Sequence, residues 1–178
     1  MATTANTKAK NSTRRAATKA AAAPKAVGPD AISLLEADHR EVDDYFEQYE
    51  TLTDDAAKKA LADKICLALK VHAQIEEELL YPPAREETGD GHLIDEAIVE
   101  HMGAKTLIAQ IEASAPGQPL YDARVKVLGE QVRHHVEEEE QELFPEVRAT
   151  GLDLDALGAK LTARKAELMA LLAPAPAA

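Results

Sequence analysis

Thiols are almost absent from this chain of 178 residues: Cys66 stands alone, which excludes an internal disulfide and any thiolate-rich metal site. Tryptophan is missing and aromatics reach only 3%. No apolar run approaches the roughly 18 residues needed to cross a bilayer, and the N-terminus lacks the apolar segment of a secretory signal. A soluble, cytoplasmic protein without a membrane partner is therefore expected. Acidic residues are missing from positions 1 to 27, where Lys8, Lys10, Arg14, Arg15, Lys19 and Lys25 stand. With a whole-chain net charge of -12, these six bases leave the remainder near -18. That opening stretch also has almost no large apolar residue, so it cannot bury enough surface to fold alone. Residues 1-28 read as a disordered Ala/Lys-rich basic tail, whose residues 8-25 suit weak contact with nucleic acid through phosphate groups or serve only as a solubilising leader.

What the chain does have is helix-forming composition: a 46% hydrophobic share dominated by small and aliphatic residues among many Glu and Lys. After Pro29 and Asp30, a fitting N-cap, apolar residues fall at Ile32, Leu35, Val42, Phe46 and Tyr49, and His39 fills the missing step of this three-four alternation. A second helix, starting near Thr53 with Asp54 and Asp55 in its first turn, presents Leu61, Ile65, Ala68, His72, Ile75 and Leu79 until Pro82 and Pro83 stop it. The third carries Ile94, Ile98, His101, Ile108 and Ile111 and ends near Pro116-Gly117; the fourth, from about Leu120, carries Val125, Leu128, Val132, His135, Glu139 and Leu143, with Pro145 interrupting or kinking it. Beyond Gly151, a candidate C-terminal cap, Leu154, Leu157, Leu161, Leu168 and Leu171 define a shorter fifth helix, and the final Ala-Pro repeat is expected to fray. Nothing reads as a strand. The expected fold is all-α: an up-down-up-down antiparallel four-helix bundle over residues 29-148, a short C-terminal helix over 149-174 packed on it or trailing it, and the disordered basic tail.

The chemistry lies in a repeated phrase. His72-Ala-Gln-Ile-Glu76-Glu77 closes at Tyr81-Pro82, and 63 residues on His135-Val-Glu-Glu-Glu139-Glu140 closes at Phe144-Pro145. Each is preceded by a lone histidine, His39 lying 33 residues before His72 and His101 lying 34 before His135. A helix turns 100° per residue, so a His and a Glu four apart share a face. Four imidazoles and two carboxylates buried in an aliphatic core without partners would cost several kcal/mol for the charged groups alone. A pair of divalent cations resolves that cost. Imidazole with bridging carboxylate suits iron, with manganese or zinc as alternative occupants, and gives calcium or magnesium little reason to bind.

These residues resemble the hemerythrin-like family, often called the HHE cation-binding domain, over about residues 30 to 145. The resemblance implies a non-haem di-iron centre in a four-helix bundle, with His39 and His101 as single-histidine ligands, His72 and His135 as the paired histidines, and Glu76 and Glu139 as bridging carboxylates. It departs from the oxygen-carrying members at Lys105, where they have a further histidine, and at Glu140, where their last helix bridges with an Asp. The likeness is thus to a six-ligand branch. The expected partner is a small ligand, O₂, peroxide or nitric oxide, for sensing, storage or detoxification; a site that consumes peroxide would be an enzyme, one that only binds would not. Two other readings compete: an iron- or redox-responsive regulator held to nucleic acid by the basic tail, and a ferritin-like oxidase, for which only Glu36-Ala-Asp-His39 fits. Glu77 and Glu140, one residue past the proposed ligands, are candidates to orient an imidazole from outside. His92 and His134 read as surface residues, and Cys66 and the tyrosines as packing.

Overall fold

A computed structural model describes Met1 and residues 28-89 and 91-173. The expectations for the basic tail and for the C-terminal Ala-Pro repeat fall outside these residues. Helix α1 spans Ala31–Thr51; its N-cap is Asp30, whose side chain accepts from the Ser33 amide. Helix α2 spans Asp55–Ile75, capped by Asp54, which takes the Ala57 amide. It does not stop at the two prolines. A π-helical turn over Glu76–Leu80 carries the rod into α3, Tyr81–Thr88. Pro82 and Pro83 bring no N–H to the turn before them, and the widened turn absorbs this: the Tyr81 amide bonds back five residues to the Glu76 carbonyl. The chain leaves α3 through Gly89, whose φ of 70° lies in the left-handed region that glycine enters without strain.

Helix α4 spans His92–Glu112, ending four residues before the expected Pro116. Helix α5 spans Tyr121–Glu138 and repeats the pattern of α2: a π-helical turn at Glu139–Leu143 precedes Pro145, the Phe144 amide bonds to the Glu139 carbonyl, and α6 follows at Phe144–Ala149. The end of α6 is set by Thr150 rather than by Gly151, for the Thr150 amide and hydroxyl both reach the Val147 carbonyl. Helix α7, Leu154–Leu172, runs 19 residues over the expected leucine stripe and is shorter than the 21 residues of α1, α2 and α4. Among the described residues there is no strand.

The four long rods pack cyclically, α1 on α2 and α5, and α4 on α2 and α5, giving the antiparallel up-down bundle; α7 lies along α1 and α2. The interior is two apolar layers. One holds Ile32, Leu35, Ile75, Tyr81, Ile94 and Phe144 with Leu157, Leu161 and Leu168 from α7. The other holds Phe46, Tyr49, Ile65, Cys66, Ile111 and Leu128. Along each rod the histidine sits between the residues of one layer and those of the other. The bundle therefore has a polar slice through its middle, shielded from water by aliphatic side chains on both sides. No helix among the described residues is long and apolar enough to cross a membrane.

Candidate metal centre

All six residues singled out from the repeated phrase are buried, and they meet in that slice. The geometry is built in pairs. His39 Nε2 is 3.0 Å from His72 Nε2, and His101 Nε2 is 3.1 Å from His135 Nε2. Glu76 spans the two pairs, with Oε1 3.2 Å from His72 Nε2 and Oε2 3.4 Å from His101 Nε2. Glu139 spans them from the other direction: its Oε2 lies 3.4 Å from His39 Nε2 and 3.5 Å from His135 Nε2. One donor atom from each of His39, His72, Glu76 and Glu139 lies within 4.8 Å of the others, and the same holds for Glu76, His101 and His135.

The outward nitrogens are held as well. A carboxylate faces each Nδ1: Glu140 at 2.9 Å for His39, Glu77 at 2.8 Å for His101, Glu100 at 2.8 Å for His135, and Asp38 at 3.6 Å for His72. The first three are hydrogen bonds; the fourth is longer and acts electrostatically. A proton on Nδ1 satisfies these carboxylates and turns each Nε2 lone pair inward. The expectation for Glu77 and Glu140 is met in placement. Asp38 and Glu100 were not anticipated, yet a signal existed: each immediately precedes a lone histidine, as Asp38-His39 and Glu100-His101, and each serves the histidine of the neighbouring helix.

Two aromatics close the slice. The Tyr81 ring stacks on His101 with centroids 5.8 Å apart, and the Phe144 ring stacks on His39 at 5.7 Å. Tyr81 Oη donates to Glu139 Oε1 at 2.8 Å. These are the residues that close the repeated phrase, and each opens the helix after a π-helical turn. Tyr81 reads from sequence as packing; its hydroxyl bond to a ligand candidate emerges only from the fold.

The electrostatics follow from burial of unlike charges. Burial by itself would lower the His72 imidazole, but the Glu76 charge and Asp38 outweigh it and push His72 up to about 10. His135 also rises against burial, through Glu139 and Glu100. Burial would raise the Glu76 carboxyl, yet His72 and His101 hold it well below the usual range. Tyr81 is pushed well up by burial and by the charges of Glu76 and Glu139, so it keeps its proton and donates. Glu100 is held down by its bond to His135.

This donor set fits metal ions on two grounds. With Nδ1 protons committed outward, two Nε2 lone pairs at 3.0 Å need a positive partner between them: a proton in the metal-free slice, as the raised His72 and His135 indicate, or a metal cation in its place. Both oxygens of Glu76 and Oε2 of Glu139 are buried and make no hydrogen bond among the described residues. Such atoms are costly unless a cation takes them.

Beside the slice a cavity of about 40 Å³ opens between the rods, walled by Val42, Leu69, Ala104, Ile108 and Val132 and bordered by the four histidines. Lys105 lies on its rim and pairs with Glu77 at 2.6 Å. This is space for a few atoms in apolar surroundings. Elsewhere, His134 is largely exposed and Nε2 approaches Glu138 at 3.3 Å, while His92 is exposed near Glu96. Glu36, the start of the ferritin-like motif, lies 3.6 Å from Arg148. Cys66 is buried and its thiol is pushed up to about 12, chiefly by burial.

Comparison with known proteins points the same way. The model of the family described as Hemerythrin HHE cation binding domain matches residues 30–147. A DNA nickase from Nostoc sp. is 33% identical over 115 residues, which are 65% of this chain and 32% of that protein, so the chain spans about a third of that relative's length. The crystal structure of a hemerythrin HHE cation binding domain-containing protein from Mycobacterium kansasii has a similar fold, with a TM-score of 0.70 at 23% identity over 81% of this chain and 90% of that one.

Proposed function

The chain belongs to the hemerythrin HHE cation-binding domain family, a membership that implies metal binding, and from that premise we propose that His39, His72, Glu76, His101, His135 and Glu139 hold a pair of iron ions that bind O₂, peroxide or nitric oxide. The observation that carries this reading is the convergence of four Nε2 atoms on two carboxylates whose buried oxygens make no hydrogen bond among the described residues. Iron, when bound, supplies one-electron chemistry and a Lewis-acid position for a small ligand; manganese or zinc would fit the same donors. The chain's own residues do the rest. Asp38, Glu77, Glu100 and Glu140 fix the imidazoles, Val42, Leu69, Ile108 and Val132 keep bulk water from the open side, and the Lys105–Glu77 pair forms a polar rim. Such a pocket serves sensing, storage or detoxification of a small oxidant.

Metal analysis of protein produced in iron-replete cells tests the reading, combined with spectra of the reduced, aerobic and peroxide-treated forms. The expected result is about two irons per chain, as in other di-iron bundles, with near-ultraviolet charge-transfer absorption when oxidised. Failure of stripped protein to take up iron overturns it. Steady loss of added peroxide would make the protein an enzyme; a spectral change without turnover would make it a binder.

A second reading adds nucleic acid as a partner through residues 8-25. It is supported by the all-basic charge of residues 1-27 and by the name of the Nostoc relative. Salt-dependent DNA binding that is lost on deleting residues 1-27 is the expected result, and no binding at low salt removes the idea.

A further inference from the structure

The Glu100 carboxylate faces two ways. Its Oε2 holds the buried His135 Nδ1 at 2.8 Å, and its Oε1 lies 3.8 Å from Nε2 of the exposed His134. His134 Nε2 in turn lies 3.3 Å from Glu138 Oε1. One donor atom from each of Glu100, His134 and Glu138 falls within 4.8 Å of the other two, at the surface of the groove between α4 and α5. Behind this triad is a small cavity of about 10 Å³, lined by Leu93, Glu96, Glu100 and Glu138 and reaching His135 and Glu139. Glu139 is 2% exposed, and its Oε2 has no hydrogen-bond partner among the described residues. Glu139, a buried carboxylate of the centre, thus lines the inner side of a cavity whose outer side is carboxylate too.

We propose that Glu100, His134 and Glu138 form a docking site for a divalent transition-metal cation at the mouth of a passage through which ions reach the buried centre. The proposal rests on the reading of that centre as a metal site. One imidazole with two carboxylates is a donor set for iron(II), manganese or zinc, and its partial exposure suits a transient stop rather than a permanent seat. Glu96 adds negative charge beside it, and like charges along a low-dielectric groove concentrate cations there. The cavity is about the size of one water, enough for an ion that has shed most of its shell. The molecule then has two openings of opposite character on either side of His135: an apolar one toward Ala104 and Ile108 for an uncharged ligand, and an acidic one toward Glu96 and Glu138 for the metal. Glu100 lines both.

Rapid mixing of metal-stripped full-length protein with cobalt(II), followed by its visible absorption, tests this. The double variant His134→Asn/Glu138→Gln changes two surface positions outside the six central residues. It is expected to reach the same final absorbance and cobalt content as the unmodified chain, with a loading rate lower by about ten-fold or more. Glu138→Gln alone should fall between them. Glu47→Gln, which removes one negative charge on the exposed side of α1, should load as the unmodified chain does. Equal loading rates in all forms overturn the passage while leaving the centre intact. Equal slowing by Glu47→Gln also overturns it, since net charge would then be the cause. No cobalt uptake by the unmodified chain overturns the centre, and the passage with it.

Discussion

Asp38 and Glu100 make no part of the six-residue centre, but they decide how two of its imidazoles stand. Each turns an Nδ1 outward, and Asp38 is itself steadied by Lys165 of α7. Partners of this kind are worth roughly 10–100-fold in metal affinity, so Asp38→Asn and Glu100→Gln are each expected to weaken binding by about that factor in competition with a chelator, whereas His134→Ala leaves equilibrium affinity unchanged. Tyr81→Phe removes the one hydroxyl donated to Glu139 Oε1 and leaves that oxygen buried and unmet; a loss of about 1–3 kcal/mol should appear in urea unfolding of the metal-free protein. Far from the centre, Asp30 gives a pH handle. Burial works against its charge, but the Ser33 amide and hydroxyl and Arg148 outweigh it and hold the carboxyl below its ordinary 3.8. A depressed carboxylate stabilises the fold above its unfolded value and loses that contribution as pH falls through its folded one. The unmodified chain should therefore lose more Tm than Asp30→Asn as pH drops from 6 to below about 3.8, and parallel curves would refute it.

At the scale of elements, α7 is part of the core and not an appendage. Leu157, Leu161 and Leu168 share an apolar layer with Ile32 and Leu35, Arg164 makes a forked pair with Glu78, and Gly158 lets α7 approach the start of α1. A Cβ at Gly158 would stand 2.4 Å from the Pro29 carbonyl oxygen and 2.8 Å from the Ala31 nitrogen, both backbone atoms that cannot swing aside. Gly158→Ala should cost about 1–3 kcal/mol, read as a fall in Tm with helix content retained. The bundle rods were legible because His39, His72, His101 and His135 each continue an apolar stripe of period 3.6. The π-helical turns were not. Pro82 and Pro83 read as a stop because sequence shows only the missing N–H groups, while the five-residue bond from Tyr81 to Glu76 that carries the rod onward depends on packing against neighbouring helices. Tyr81 was hidden for a like reason, and Asp38 and Glu100 showed only as carboxylates just before His39 and His101: each acts across helices, and spacing along one strip of chain cannot rank such contacts.

Over the whole molecule, the polar slice makes stability and metal content two readings of one equilibrium. Ions that bind only the folded bundle stabilise it by RT ln(1 + [L]/Kd), about 4 kcal/mol at a thousand-fold excess over Kd. Adding a chelator should lower Tm by several degrees, and His72→Ala or Glu139→Ala should abolish both the metal and this dependence; a Tm indifferent to metal would contradict the assignment. The duplicated phrase makes the two halves look interchangeable, and in several contacts they are not: Asp38 stands 3.6 Å from His72 where Glu100 stands 2.8 Å from His135, and Glu76 spans the pairs with two oxygens where Glu139 uses one. Tyr81 brings a hydroxyl to Glu139 where Phe144, its counterpart over His39, brings only a ring edge and face. The two central carboxylates are therefore unequal: Glu139 has already committed one oxygen to a neighbour inside the protein, whereas Glu76 keeps both of its own uncommitted.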